Sequence, residues 1–425
     1  MKNKLGYINV LDKIFIEWLS ISLISIFCLL TSNIINAQSL LEYQNQAANQ
    51  NPGLQAKYKA FEAALERIPQ VKSLPDPNFS FGYFISPVET RVGPQRARFS
   101  LTQMFPWFGT LKASGDEAAL NAEAQYQSFL EARNKLYYQV AESYYQLLEL
   151  ERWLELEEDN IKVLESYKSI STSKFENGET PMADVLRVDI LLKDAETNLE
   201  ILQHKRRVLL TRFNKLLNRD ELTEIILEES LNVLEIDFNK DSLISNNPSL
   251  HQLNALIDAS KKQQELVEKQ GLPKLGVGLD YVLVGERSDL APPDNGKDAL
   301  MPMLTVGLPI FRNKYNAAQK EAQLKQEQFI LQKEEQVNRL ITDFEMADFD
   351  QKKQLRILRL YEQQITETEQ VLSLMFSAYS NSGENFDEVL RMKMQLLKYQ
   401  KLKATAQVNH HISVAKLNYL TAKKH

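Results

Sequence analysis

The chain has 425 residues, of which 44% are hydrophobic and 25% charged, and its formal net charge is −6. This composition excludes a bundle of apolar membrane helices, because no stretch after residue 38 reaches the roughly 18 apolar residues that a transmembrane helix requires. A mildly acidic chain also gives no reason to expect a nucleic-acid partner.

The N-terminal segment carries the only long apolar run, at residues 21–30, after three lysines and before a polar stretch. This layout is typical of a secretory signal peptide, and we assign residues 1–38 to it. A single membrane anchor is the alternative, which the shortness of the run disfavours. Cys28, the only cysteine, lies in this run after the large Phe27, an arrangement that disfavours lipid attachment.

Helix-breaking residues are unevenly distributed along the rest of the chain. Most of the 14 glycines and 14 prolines fall within residues 69–115 and 271–309, whereas residues 116–177 and 313–382 contain neither. Long uninterrupted helices are therefore possible only in the two segments without breakers.

Apolar residues recur every seven positions in both of these segments, as they do in a coiled coil. One track in the first segment contains Tyr126, Val140, Leu147, Leu154 and Ile161, and a second contains Ala122, Phe129, Leu136, Leu150 and Leu164. The track in the second segment contains Ile330, Val337, Phe344, Leu358, Ile365, Leu372 and Tyr379, with a polar break at Gln351. Each predicted helix is on the order of 100 Å long, at 1.5 Å per residue.

Each long helix ends at a short turn segment, residues 177–181 in the first case and 381–385 in the second. A returning helix follows each turn. The pattern predicts two helical hairpins, residues 110–217 and 313–423, which reverse at these turns.

The segments rich in breakers show a different pattern, in which apolar and small or polar residues alternate. This predicts strand pairs within residues 77–105 and 273–310. One apolar face is typical of membrane-barrel strands, although an ordinary soluble sheet alternates in the same way. Four strands cannot close a barrel, whereas three chains would supply twelve, so the pattern predicts a homotrimer.

The two halves of the chain resemble each other. Asn51-Pro52 recurs as Asn247-Pro248, and Gly178-Glu179 recurs as Gly383-Glu384. We therefore predict a first structural repeat at residues 39–217, a connecting segment at 218–247 and a second repeat at 248–425. Each repeat contains a helix, a strand pair and a long helical hairpin.

This duplicated pattern resembles the TolC, or outer-membrane factor, family of outer membrane efflux proteins over about residues 39–425. The most specific matching segments are the strand-to-helix junctions at 103–109 and 307–311 and the runs after the tips at 184–186 and 388–390. The resemblance implies a mainly helical fold with a small β part, in which three chains form a twelve-stranded barrel in the outer membrane of a Gram-negative bacterium. It also implies a helical tunnel across the periplasm that the hairpin tips close.

The resemblance implies partners as well: a periplasmic adaptor, an inner-membrane pump of the RND type, and outer membrane lipid. It implies that the tips dock the adaptor and that acidic residues just past them line the closed entrance. The candidate docking residues are Gly178, Glu179, Gly383 and Glu384. The candidate gate residues are Asp184, Arg187, Asp387, Glu388 and Arg391. Acids and arginines three positions apart can pair and so partly neutralise the entrance, or they are simply solvated surface pairs.

The strand-to-helix junctions are the third group of candidate residues. They comprise Phe105, Pro106, Trp107, Phe108, Pro309 and Phe311. Proline ends a strand because it cannot donate to the ladder, and the aromatic rings suit a membrane interface. Packing between strand and helix is an equal alternative for these rings.

Motifs for catalysis are not found: there is no nucleophile elbow, phosphate-binding loop, zinc-protease motif or cysteine pair. We therefore expect no enzyme activity and no cofactor. His410 and His411 point about 100° apart on a helix, so we expect no shared metal there.

The leading functional hypothesis is an exit duct of a tripartite efflux system for heavy-metal cations or small toxic molecules. The Phe-Pro-Trp-Phe-Gly junction at residues 105–109 resembles family members associated with heavy-metal efflux of the CusC and CzcC kind. An exit duct for type I protein secretion is an alternative. A periplasmic adaptor is disfavoured by the two hairpins with separate strand pairs, and a structural coiled-coil protein would have no use for barrel-like strands. Residues 85–95 and 286–299 are the expected cell-surface loops.

Overall fold

The computed structural model describes residues 39–227, 233–290, 292–382 and 385–423. The predicted signal peptide with Cys28 lies outside these residues, and so do the predicted tip residues Gly383 and Glu384.

Helices make up most of the described chain. They are α1 Leu40–Gln50, α2 Pro52–Lys72, α3 Thr110–Glu176, α4 Met182–Leu216, α5 Ser242–Ser245, α6 Pro248–Gln270, α7 Asn313–Ser382 and α8 Phe386–Leu420. Helix α3 has 67 residues and α7 has 70, so each is about 100 Å long. The predicted fold class, mainly helical with four strands, is confirmed.

The first long helix ends in a complete Schellman turn. Gly178 takes a φ of 75°, a left-handed conformation that glycine adopts without strain. Its N–H donates to the Phe175 carbonyl at 2.9 Å, and the Glu179 N–H donates to the Lys174 carbonyl at 2.8 Å. Pro181 then takes the N-cap position of α4, so the chain reverses within five residues.

The repeated Asn-Pro motif has the same structural role in both halves. The side-chain oxygen of Asn51 caps α2, and that of Asn247 caps α6. Each asparagine also donates its amide to the end of a returning helix: Asn51 to the Leu216 carbonyl at 2.9 Å, and Asn247 to the Leu420 carbonyl at 3.0 Å. The duplication thus fixes where each hairpin meets the short helix next to it.

Four antiparallel strands form one sheet in the order β1-β2-β3-β4. Their bounds are β1 Asn78–Thr90, β2 Gly93–Phe105, β3 Lys274–Val284 and β4 Ala299–Gly307. The central β2–β3 pairing joins the two repeats and aligns Phe99 with Tyr281 and Leu101 with Leu279. Strands β1 and β4 are the two edges, and neither has an outer neighbour in the described chain.

The two faces of the sheet differ in polarity. One face carries large apolar side chains that are exposed in the single chain, such as Tyr83 at 68% and Leu304 at 85%. The opposite face carries small and polar residues. There the carboxylate of Asp280 is fully buried and accepts hydrogen bonds from Ser100 and Arg98 on the neighbouring strand.

The core lies along the helices. Helix α3 contacts α1, α2, α4, α6 and α8, while α7 contacts α6 and α8. Gln351, the polar break in the heptad track, is fully buried and its Nε2 donates to the Ile236 carbonyl at 3.1 Å. The break therefore marks where the connecting segment crosses α7. In the described part of the chain, no helix combines the length and the apolar character needed to cross a membrane.

Candidate gate at the hairpin tips

The hairpin tips bring the first turns of α4 and α8 together. Asp184 lies in the first turn of α4, and Asp387 and Glu388 lie in the first turn of α8. Carboxylates at these positions are favourable, because the N-terminus of a helix carries a partial positive charge. The local sequence therefore places three acids at one end of the molecule.

Two arginines link these acids in a continuous series of ion pairs, which we name the tip charge network. Arg187 Nη1 lies 3.1 Å from Asp184 Oδ1, and Arg187 Nε lies 3.9 Å from Asp387 Oδ1. Arg391 Nη2 lies 3.2 Å from Asp387 Oδ2 and 3.9 Å from Glu388 Oε1. All five candidate gate residues thus lie in one network that crosses from the first hairpin to the second.

The tip charge network is weak and is not neutral. It contains three carboxylates and two guanidinium groups, so it carries one net negative charge per chain. The Asp184 side chain is only 7% exposed, whereas the other four side chains are about half exposed or more. Exposed ion pairs contribute about 0.2–1 kcal/mol each. Such contacts hold two elements together and still allow them to separate.

A packed aromatic cluster supports the network. Tyr379 is fully buried, and its ring stacks on Phe386 with centroids 4.3 Å apart. Burial raises the pKa of Tyr379 to about 12, and the carboxylate of Asp184 adds to this effect. The phenol therefore stays neutral at physiological pH. Lys174 lies 5.6 Å from the same ring centroid and pairs with Glu179 at 2.9 Å. This lysine therefore connects the hairpin turn between α3 and α4 to the aromatic cluster.

An open groove of about 640 Å³ runs between α4 and α8 beside the network. Ile190 and Met394 line it and are 61% and 41% exposed. Its other lining residues are Arg187, Leu191, Asp387, Leu390, Arg391, Gln395 and Lys398. The groove thus combines an apolar floor with charged rims.

The junction residues lie at the opposite end of the helices. Phe108 and Phe311 are 79% and 77% exposed, so neither ring packs in the core of the single chain. Trp107 is half-buried and contacts Phe108, with ring centroids 6.0 Å apart. Phe105, Pro106 and Pro309 complete this exposed apolar collar where the sheet meets the helices.

Sequence reasoning missed a buried ion pair midway along the helices. Glu157 on α3 is 1% exposed and pairs with Lys401 on α8, whose carbonyl accepts a hydrogen bond from Trp153 Nε1 at 3.3 Å. Glu157 occupies the heptad position between Leu150 and Leu164. The signal for this pair in the sequence is an acidic residue at a heptad position where an apolar residue is expected.

The adjacent histidines lie apart from the tips. Their ring centroids are 5.3 Å apart, and burial lowers the pKa of both His410 and His411, that of His411 to about 4. Among the residues that the structure describes, no group of three or more His, Cys, Asp or Glu is placed to hold a metal ion.

Comparison with known proteins adds to this geometry. Residues 44–219 match the Outer membrane efflux protein family. The resemblance predicted from the sequence is therefore confirmed, on the segment that covers the first repeat. No curated protein sequence matches the chain.

Solved structures extend the efflux-protein fold to almost the whole chain. CusC superposes with a TM-score of 0.77 at 12% identity over 91% of this chain and 92% of its own. The outer membrane protein VceC from Vibrio cholerae superposes with a TM-score of 0.74 at 15% identity over 90% and 95%. The outer membrane channel CmeC from Campylobacter jejuni gives 0.74 at 13% identity over 90% and 85%. The efflux-protein fold thus includes both repeats.

Proposed function

We propose that this protein is a homotrimeric exit duct of a tripartite efflux system in the outer membrane of a Gram-negative bacterium. The observation that carries the proposal is a single four-stranded sheet with an exposed apolar face and two open edges. An unpaired strand edge is a liability unless another strand covers it. Three copies would pair β1 of each chain with β4 of the next and close a twelve-stranded barrel with its apolar face toward lipid.

The helices support the same assembly. Val208 on α4 is 68% exposed and Leu374 on α7 is 73% exposed, although both lie on coiled-coil helices. A neighbouring chain would cover these surfaces, and three chains would enclose a tunnel about 100 Å long. The tunnel would carry substrates passively from a pump and an adaptor to the outside.

The tips are the proposed contact with the periplasmic adaptor and the proposed gate. The groove between α4 and α8 offers an apolar floor for the apolar side of an adaptor hairpin. Gly178 and Glu179 form the turn that precedes α4. The corresponding Gly383 and Glu384 lie outside the described residues. The tip charge network would hold the entrance closed until docking separates α4 from α8.

Heavy-metal cations or small toxic molecules are the proposed cargo. Support comes from the aromatic junction at residues 105–109 and from the net negative charge of the tip charge network, which favours cations in a narrow entrance. An inner-membrane pump of the RND type is the proposed energy source.

The opposite end of the chain supports the proposed orientation. The hairpin turn between β1 and β2 contacts the loop between β3 and β4: Gly285 N–H donates to the Pro94 carbonyl at 2.7 Å, and Gly296 N–H donates to the Val92 carbonyl at 2.6 Å. The two loops thus fold on each other as one cap, which we place at the cell surface.

Assembly and conductance test this proposal together. The protein, purified in mild detergent, should give the mass of three chains in native mass spectrometry and ion-conducting steps in planar bilayers. A substitution in an exposed apolar side chain, Leu374→Asp, should yield monomers without conductance, because a carboxylate would be buried at the contact between chains. Glu367→Asp on the same helix is the control and should behave as the unchanged protein. A monodisperse monomer that conducts would refute the proposal.

Cysteine labelling tests the orientation. Arg91→Cys, at an exposed position in the turn between β1 and β2, should react with an impermeant maleimide on intact cells. Gly178→Cys at the first tip should react only after the outer membrane is permeabilised. The reverse pattern would refute the orientation.

A further inference from the structure

A second feature of the molecule lies at the junction between the sheet and the helices, far from the tips. The start of α3 and the ends of α6 and α7 that face the sheet enclose a cavity of about 510 Å³, which we name the junction cavity. Its chemistry comes from six of its lining residues: Trp107, Thr110, Lys269, Lys274, Lys314 and Tyr315. No carboxylate lines the cavity within the described part of the chain.

Two of the lining lysines lack an acidic partner. Lys274 and Lys314 form no ion pair within 4 Å among the described residues, and Lys314 Nζ lies 4.8 Å from the centroid of the Tyr315 ring. Lys269 pairs with Glu265 at 3.4 Å, and Glu265 also pairs with Lys262 at 2.9 Å. The cavity therefore has an excess of positive charge that the chain does not neutralise.

The positive end of α3 increases this excess. Its N-cap is Gly109, which has no side chain to cap the first turn, so the first-turn N–H groups lack a side-chain acceptor. Lys269 Nζ approaches so closely that a Cβ added at Gly109 would lie 3.2 Å from it. An ammonium group beside a helix N-terminus is unfavourable unless an anion lies between them.

A buried hydroxyl in the lining is also unpartnered. Thr110 is 8% exposed, lines the junction cavity, and its Oγ1 has no hydrogen-bond partner in the described chain. A buried hydroxyl without a partner destabilises the protein, because it has lost its hydrogen bonds to water. A ligand with acceptor oxygens would satisfy this hydroxyl, the helix N-terminus and the lysines together.

We propose that the junction cavity binds an anionic phosphate, which is either inorganic phosphate or the headgroup of a phospholipid with a net negative charge. Phosphate is the anion that combines several acceptor oxygens with enough charge for two unpaired lysines and a helix N-terminus. The exposed apolar collar with Phe108 and Phe311 lies next to the cavity in the chain. A phospholipid could therefore place its headgroup in the cavity and its acyl chains against the collar, while inorganic phosphate could enter from solvent.

Trp107 provides a direct reporter of binding. The chain has three tryptophans: Trp107, Trp153, and Trp18 in the predicted signal peptide. A Trp153→Phe background thus leaves Trp107 as the only tryptophan after residue 38. We would titrate the detergent-purified oligomer in this background with dihexanoyl phosphatidylglycerol, with dihexanoyl phosphatidylcholine and with inorganic phosphate at constant ionic strength, and follow the fluorescence.

We expect a saturable change in Trp107 fluorescence. Lys274→Gln combined with Lys314→Gln should weaken binding about tenfold or more, since charge-assisted contacts to phosphate are lost. Thr110→Val, which keeps the shape of the side chain, should weaken it about threefold through the loss of one hydrogen bond. Lys320→Gln is the matched control on α7 and should leave the affinity unchanged, because this exposed lysine lies outside the cavity lining.

The three ligands distinguish the possible sources. Binding of phosphatidylglycerol at concentrations where inorganic phosphate has no effect identifies a lipid headgroup. Equal binding of inorganic phosphate identifies the free anion. The proposal is overturned if no ligand gives a saturable change, if phosphatidylcholine acts as strongly as phosphatidylglycerol, or if Lys320→Gln weakens binding as much as the double variant. Size-exclusion elution at the position of the unchanged oligomer confirms that each variant is folded.

Discussion

Arg187 on α4 reaches across to Asp387 on α8, with its Nε 3.9 Å from Oδ1, and this pair is the one ion pair of the tip charge network that joins the two hairpins. Each arginine of the network also pairs with an acid of its own helix. The tips are thus held by several weak contacts that share partners, and separation of α4 from α8 would break only the central one.

Removal of both arginines should open the proposed entrance. Only the Arg187–Asp387 pair breaks when α4 separates from α8. An exposed pair contributes about 0.5 kcal/mol, so its loss in three chains favours the open state by roughly 1.5 kcal/mol, which corresponds to about a tenfold rise in open probability. Single-channel recording of Arg187→Ala with Arg391→Ala measures this change. The variant should also make cells more sensitive to large antibiotics.

The control for this experiment is Lys193→Ala, which removes an ion pair with Asp189 that lies within α4 and outside the tip charge network. It should leave conductance unchanged. Unaltered conductance in the double arginine variant would show that its pairs are only solvated surface contacts.

Glu388→Gln tests the role of charge at the same place. Loss of one carboxylate per chain reduces the negative charge at the entrance, so multivalent cations should block the channel several-fold more weakly. The change is isosteric, and the oligomer should remain intact in native mass spectrometry. Glu369→Gln, on α7 outside the network, should retain the block; an equal loss in both variants would contradict a local effect.

The buried pair of Glu157 and Lys401 should be important for stability. Glu157→Ala leaves the ammonium of Lys401 largely buried without a partner, which costs about 3 kcal/mol and lowers the apparent melting temperature by several degrees. Glu362→Ala is the matched control. It removes the exposed partner of Lys403, which lies on α8 as Lys401 does, and it should cost less than about 1 kcal/mol. Equal melting temperatures for the two variants would contradict this prediction.

Acidification should destabilise the protein through His411. Burial lowers its pKa to about 4, from an ordinary value of 6.5 that we assign to the unfolded chain. Between these values the unfolded chain binds more protons, so stability falls as the pH falls, by up to roughly 2 kcal/mol from pH 6.5 to 5. His411→Phe should retain the stacking on Tyr145 and reduce this loss.

Differential scanning calorimetry at pH 7 and pH 5 measures the difference. The exposed His204 supplies the control, since His204→Gln should show the same loss on acidification as the unchanged protein. A His411→Phe variant that loses as much stability as the unchanged protein would assign the acid sensitivity to other groups.

Local pattern was sufficient for the elements themselves. The heptad tracks and the absence of breakers predicted two helices that the structure shows as Thr110–Glu176 and Asn313–Ser382. Alternation predicted four strands, and Gly178 predicted the turn that it makes with a positive φ. These features depend on backbone sterics and on which face of an element is apolar, and both are encoded within a few neighbouring residues.

Contacts between distant segments depended on the tertiary structure. The pattern showed acids and arginines near both tips, but the pairing of Arg187 with Asp387 required the two hairpins to lie side by side. The polar break at Gln351 was visible, yet its partner, the Ile236 carbonyl, lies in a segment without a periodic pattern.

The junction cavity shows most clearly which features the local sequence predicts and which need the tertiary structure. The sequence by itself determined that α3 begins after Gly109 and that lysines occupy positions 269, 274 and 314. Only the tertiary structure decided that these lysines, the helix N-terminus and the Thr110 hydroxyl border one space. The reason is physical: periodicity specifies which face of an element is buried, whereas the convergence of charges from α3, α6 and α7 depends on how those helices pack against each other.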